Sequence, residues 1–367
     1  EQAQVAIDEG RRIGAKSERE RDYIEAVAAY YKDFATRPEK DRQVSRAKAY
    51  EALAQRYPAD DEAKIFFALY NAGTQTQADQ SYAAYLKSAG ILETQFKKYP
   101  DHPGVAHYLI HSYDAPPLAN QGLNAARRYA DIAPAAPHAL HMPSHIFTRI
   151  GSWQESAATN VRSRDVAKAG GEVDEAYHAS DYMVYAYLQL ARDAAARQAI
   201  YEALQVDAVT SRFAARYAKA AMPARYAFER AAWPEAAKLQ VFGSPYPFVD
   251  AITYFARSVG AARSGDLASA RMDAEQLETL HNALLAAKNT YWATEVEVQR
   301  LAAAGWIALG EGKDAEDLKF MRAAADLEDR NEKHIVTPAR IVPARELLAE
   351  MLLEQKQPAQ ALKEFEM

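Results

Sequence analysis

Nine histidines occur in the chain, and six of them fall between positions 102 and 145: His102, His107, His111, His138, His141 and His145. Even scattering would place roughly one there. His107 and His111 are four residues apart, so on a helix both imidazoles leave one face, a turn apart. His141 and His145 repeat that spacing, and each follows its counterpart by 34 residues. Helix axes in contact stand ~8–10 Å apart. An imidazole reaches about 3.6 Å from its Cβ and a metal–nitrogen bond adds ~2.0–2.1 Å, so two neighbouring helices carrying these pairs could share an ion. Packed together without a metal, four neutral imidazoles would compete for few donors, and protonating several would cost Coulomb repulsion. His178 and Asp181, three apart on a helix expected over 174–192, offer a third layer. The expected ligands are His107, His111, His138, His141, His145, His178 and Asp181, with His138 either a ligand or a supporting group. They suffice for one metal with open positions, or for two. His102, before Pro103, reads as a cap or surface residue, and His281 and His334 as ordinary core histidines.

Imidazole with carboxylate suits zinc, copper, iron, nickel or manganese. A closed zinc site would staple adjacent helices, whereas open positions would activate water or dioxygen. Asp114 is the candidate base or imidazole orienter, Arg149 the candidate anion-binding group, and Tyr108 or Tyr113 the candidate proton donor. The absence of cysteine removes disulfides, thiolate nucleophiles and Cys-based zinc sites. No GxSxG, P-loop, GxGxxG or HExxH pattern occurs, which disfavours the corresponding hydrolases, nucleotide enzymes and zincin proteases. A net charge of −6 with scattered basic residues gives no nucleic-acid footprint. No apolar run approaches the ~18 residues of a membrane helix. The runs Lys16–Asp22 and Asp326–Lys333 read as solvated faces. The chain opens at Glu1 without a Met, so a processed form or a fragment is expected, in either cytoplasm or periplasm.

The elements that would position these residues are helices, nearly all of 12 to 20 residues with a 3.6 period and Pro, Gly or Asp punctuation. Ser17 and Glu20 form a capping box ahead of Tyr23, Ile24, Val27 and Tyr30. Helices are expected over 41–57, 61–73, 80–99, 103–114, 118–132, 142–150, 154–169, 174–192, 195–204 and 208–219. Further helices are expected over 247–263, 267–286, 290–309, 315–328, 342–355 and 358–366. Segments 222–247 and 330–343, with Pro223, Pro234, Pro245, Pro247, Pro338 and Pro343, are the least regular, and Gly170-Gly171 reads as a hinge. No strand signal stands out.

Pro100 and Pro134 are 34 residues apart, as are Pro103 and Pro137, and a turn pattern recurs between paired helices: Gly151 and Trp153 precede small Ser156, Gly265 and Leu267 precede Ala270, and Ala361 sits similarly in the last pair. In these features the chain resembles the tetratricopeptide repeat family over most of its length. The resemblance implies an all-α fold, a right-handed α-solenoid of antiparallel helix pairs over 1–367, with a concave groove lined by the first helix of each pair. It places the histidine pairs at groove-lining positions, with Asp114, His138 and Arg149 tending the same way. Residues 100–192 would then be the metal-site repeats, and 250–367 would extend and cap the stack.

The stretches His102–Asp114 and Ala136–Phe147 also resemble a bacterial group of largely uncharacterised tetratricopeptide proteins with a His-rich helix, an "HMP-S/A-HI" helix and a third His-bearing helix. Some members carry His where Asp181 stands here, and members have an additional N-terminal helical segment. The expected function is a groove that binds a transition metal (zinc, copper, iron or manganese) and a small molecule or peptide, with turnover left open. The alternatives are a metal-free peptide-interaction module and a metal storage or delivery protein.

Overall fold

The computed structural model describes residues 2–206 and 212–367, and every regular element among them is helical. Contacts divide the chain into two units: Glu1–Pro134 with His145–Gly151, and Ala135–Ser144 with Ser152–Met367. No described helix is long and apolar enough to cross a membrane.

The first unit holds α1 (Gln2–Ile13), α2 (Glu18–Tyr31), α3 (Glu39–Arg56), α4 (Asp61–Ala72), α5 (Ala83–Lys98), α6 (Pro103–Tyr113) and α7 (Leu123–Ile132). α2 opens on the expected capping box: the Ser17 side chain accepts from the Glu20 N–H, and the Glu20 carboxylate accepts from the Ser17 N–H. α3, α5 and α7 stop at Tyr57, Tyr99 and Ala133, each directly before a proline and each outside the helical region, with φ between −119° and −135° and ψ of 63–70°. Proline's Cδ crowds the preceding residue out of the α conformation, so these three helices end where the sequence tells them to. Tyr50, Leu53, Ala63 and Phe67 form the core between α3 and α4.

The second unit begins with α8 (Pro137–His141). α9 (Pro143–Arg149) follows and carries the chain across the unit boundary. The expected single helix over 142–150 is therefore preceded by a separate turn of helix. Met142 keeps helical angles, but Pro143 lacks the N–H that would continue the hydrogen-bond ladder. Next come α10 (Trp153–Gly170), α11 (Val173–Gln189), α12 (Asp193–Leu204), α13 (Phe213–Glu229), α14 (Trp233–Ala236) and α15 (Pro247–Arg263). The unit is completed by α16 (Leu267–Ala286), α17 (Thr290–Gly310), α18 (Asp314–Glu328), α19 (Ala344–Glu354) and α20 (Pro358–Phe365).

Here the connections follow one pattern. Gly171, Ala191, Ala231, Gly265, Lys288, Gly312 and Lys356 all have φ between 48° and 84°. Each is followed by one linking residue, and the next helix starts two positions on. In each case the linking residue's N–H donates back across the turn, as from Glu172 to Ala167 O and from Asn289 to Leu284 O. This is a left-handed helix stop that satisfies the last carbonyls and reverses the chain. Gly170-Gly171 is thus a tight joint rather than a loose hinge.

One expectation changes and another gains detail. The helix placed over 208–219 begins partly outside the described residues, and α13 runs on to Glu229 through Pro223. A proline inside a helix forfeits one hydrogen bond. α13 buries Ala220, Ala221, Met222, Ala224, Ala227 and Phe228 around that point, and their burial offsets the loss. The irregular stretch 330–343 is firmly held: the Arg340 guanidinium donates to both Glu295 oxygens at 3.2 and 3.1 Å and to the Asn331 carbonyl at 2.8 Å. Lys333 Nζ donates to Thr337 O at 2.7 Å. Beside them Glu328 accepts from the Ala344 N–H at 2.8 Å, and burial pushes its carboxyl up to about 7 against the pull of Arg340.

Candidate metal centre

In the first unit α6 presents His107 and His111. Pro103 starts this helix, and His102 caps it by accepting the Val105 N–H on Nδ1 at 3.2 Å, as its place before Pro103 predicts. The two ligand candidates converge as their spacing requires: His107 Nε2 and His111 Nε2 are 3.1 Å apart. The His107 ring stacks on Tyr129 at 5.4 Å between centroids. The His145 ring stands 6.0 Å from that of His111, edge to face.

His145 is oriented from behind. Its Nδ1 donates to Asp114 Oδ2 at 2.8 Å, and both side chains are buried. With the proton held on Nδ1, the ring lone pair lies on Nε2. The other Asp114 oxygen accepts from Arg149 Nε at 2.8 Å, and Arg149 Nη2 donates to the Asp114 carbonyl at 3.2 Å. Asp114 and Arg149, the two residues expected to act beside the metal, therefore form an ion pair, buried at the carboxylate and partly exposed at the guanidinium, that supports an imidazole. Tyr113 donates to Glu93 at 3.1 Å, and burial pushes its hydroxyl up to about 12, which makes it a poor acid at neutral pH.

The second unit contains a comparable set on α8 and α11. The His141 and His178 rings lie 4.2 Å apart between centroids, with Tyr182 edge-on to both. His141 Nδ1 donates to Asn160 Oδ1 at 2.7 Å. The Asn160 amide is fixed in that orientation because its Nδ2 donates to Ser156 O at 2.7 Å. His138 lies 6.1 Å from His141 between ring centroids, with Nδ1 3.4 Å from Glu175 Oε2. That imidazole holds the Glu175 carboxyl below the usual carboxylate range against the opposing effect of burial. Asp181, one turn from His178 on α11, is turned to a different partner. Its Oδ1 accepts from Arg225 Nη1 at 2.6 Å, and Arg225 is fully buried. Burial raises the Asp181 carboxyl and Arg225 opposes the rise. Arg225 also donates to Ala339 O at 3.1 Å and lies over the Tyr185 ring.

His141, His145 and His178 are buried, whereas His107, His111 and His138 are partly exposed. Each of the six has a ligating nitrogen within 4.8 Å of those of two others, so these are histidine clusters that could hold a metal ion. Within one unit, the pairs that meet this closeness are His107 with His111 and His141 with His178.

Sequence reasoning missed Asn160, Glu175 and Arg225. A signal for the first was present: Ser156, Thr159, Asn160 and Ser163 recur at helical spacing on α10 and are all buried. Thr159 and Ser163 donate to the Leu140 and Pro137 carbonyls of α8. A buried polar stripe on a helix demands partners, and here they are the backbone and an imidazole of the histidine-bearing segment. No protein-family profile matches the chain, and no curated protein matches it in sequence.

Proposed function

We propose that this protein binds transition metal through its imidazoles, with one close histidine pair in each unit as the nucleus of a site. The observation that carries the reading is the 3.1 Å separation of His107 Nε2 and His111 Nε2. Two nitrogens at ~2.0–2.1 Å from one metal with near-tetrahedral or right-angled geometry stand about 2.9–3.4 Å apart. His145 backed by Asp114, and His141 backed by Asn160, match the way metal-ligating imidazoles are oriented by an acceptor on the opposite ring nitrogen. In this reading His107 and His111 are the pair of the first unit and His141 and His178 the pair of the second, with His138 and His145 as the further ligands. Asp114 and Arg149 orient ligands, and Asp181 anchors Arg225. With imidazole as the main donor, zinc, copper, iron and manganese are the candidates. The helix pairs are read as tetratricopeptide-type repeats, a proposal supported by the 34-residue register of the prolines and histidines and by the recurring two-residue joints.

Elemental analysis of protein produced without a histidine tag tests this. About one ion per histidine pair should survive dialysis. His107→Ala should remove metal from the first unit, His141→Ala from the second, and the double variant should lose both. Metal content that is negligible, or unchanged in the double variant, would favour the metal-free peptide-binding reading instead. Several loosely held ions per chain would point to storage or delivery.

A further inference from the structure

Arg42 and Arg46 lie four residues apart on α3, on one helical face and away from the histidines in sequence. Both guanidiniums lie over the same ring: their Cζ atoms are 4.6 and 4.2 Å from the centroid of Tyr30, and that of Arg46 is also 4.0 Å from the centroid of Tyr70. Stacking occupies the flat face of a guanidinium and leaves its in-plane N–H edge available for hydrogen bonds. Among the described residues that edge is not used by protein. The ε N–H of each arginine is buried without an acceptor, and neither head group has a carboxylate within 4.0 Å. Other arginines of this unit differ: Arg11 on α1 pairs with Glu25, Arg19 on α2 with Asp60, and Arg56 at the end of α3 with Asp22. The nearby carboxylate, Glu39, instead accepts from Tyr30 Oη at 3.0 Å and from Gln43.

Two positive charges gathered over one ring repel each other, and buried N–H groups without acceptors are costly. A bound dianion relieves both. We infer that Arg42 and Arg46, cradled by Tyr30 and Tyr70, form an oxyanion site that takes a phosphate group. Phosphate near neutral pH carries about −1.5 to −2 charge and several acceptor oxygens, which match two forked cations better than a single carboxylate does. The site stands apart from the metal proposal and does not depend on it.

The test is isothermal titration of the full chain with inorganic phosphate in low-salt chloride buffer containing EDTA, so that no histidine-bound metal can supply a phosphate ligand. Saturable binding is expected. Arg42→Gln with Arg46→Gln should weaken it by about tenfold or more, while Arg21→Gln at an exposed position of α2 should leave it unchanged. If the double variant does not fold, the Arg42 and Arg46 Nε–Hε resonances of the unaltered protein provide the reading, and both should shift on adding phosphate. A glycerol phosphate arm separates the sources: tighter binding than inorganic phosphate identifies an esterified ligand, and weaker binding identifies the free ion. Heats of dilution alone, equal affinity in a folded double variant, or unmoved arginine resonances would overturn the inference.

Discussion

Both units back an imidazole with a hydrogen-bond acceptor and bury an aspartate against an arginine, but they wire these parts differently. In the first unit one carboxylate does both jobs: Asp114 takes the His145 proton on one oxygen and Arg149 on the other. In the second unit the jobs are divided: Asn160 serves His141, and Asp181 serves Arg225. Either way the imidazole faces a group of no net charge, an amide in one case and a neutralised ion pair in the other. A bare buried carboxylate would favour imidazolium, which cannot ligate a metal. The two arrangements thus reach the same electrostatic result by different means.

That contrast can be broken most forcefully at Arg225. Arg225→Met strands the Asp181 carboxylate in the interior, and removing one partner of a buried pair costs about 3–5 kcal/mol. Urea unfolding followed by circular dichroism should register this loss. Arg149→Met should cost less, because Asp114 keeps its His145 hydrogen bond and Arg149 is partly exposed. Equal losses would mean that the shared and divided wirings are energetically alike.

The next effect concerns affinity. Asn160→Ala should weaken metal binding in the second unit, where it backs His141, by about 10–100-fold while leaving the ion at His107 and His111 in place, as measured by competition with a chelator. Simultaneous loss from both units would show that the two are not independent.

A third experiment uses the pH response of the second unit. Glu328 is lifted to about 7, chiefly by burial. Its folded form therefore holds a proton that the unfolded chain, with an ordinary carboxylate near 4.5, has already released. Stability contributed by this group is full below about 4.5, falls as the pH rises towards about 7, and stays lost above it. Glu328→Gln should flatten that slope between pH 5 and 8 in urea titrations. A slope as steep as that of the unaltered protein would place the titration elsewhere.

The smallest effects lie in the joints. Gly171 has φ 71°, so Gly171→Ala should cost about 1 kcal/mol. Lys288 adopts φ 56° with a side chain present, and Lys288→Gly should gain up to ~1 kcal/mol. Differential scanning calorimetry should show melting shifts of opposite sign.

Much of this was legible in the sequence, for local reasons. The Ser17/Glu20 cap, the helix ends at Tyr57, Tyr99 and Ala133, and the convergence of His107 with His111 all depend on residues within four positions of one another. Asn160 and Arg225 were not legible, because their partners lie 19 and 44 residues away and are brought together only by packing between helices. Pro223 misled for the same reason: local propensity ends a helix there, and the buried face of α13 carries it through. Asp181 shared a helical face with His178, and spacing alone gave no hint that a buried guanidinium would claim it.

The seven two-residue joints of the second unit have a kinetic corollary. A hairpin closed by so short a turn needs no distant segment to find its partner, and each joint specifies its own reversal. Closure of each hairpin is therefore a short-ranged search, whereas contacts such as that of Arg225 with Ala339 O, 114 residues apart, form only when distant helices meet. Under a pulling force from the C-terminus, the same economy predicts stepwise release, with α20 and α19 peeling away first and the extension growing in hairpin-sized increments.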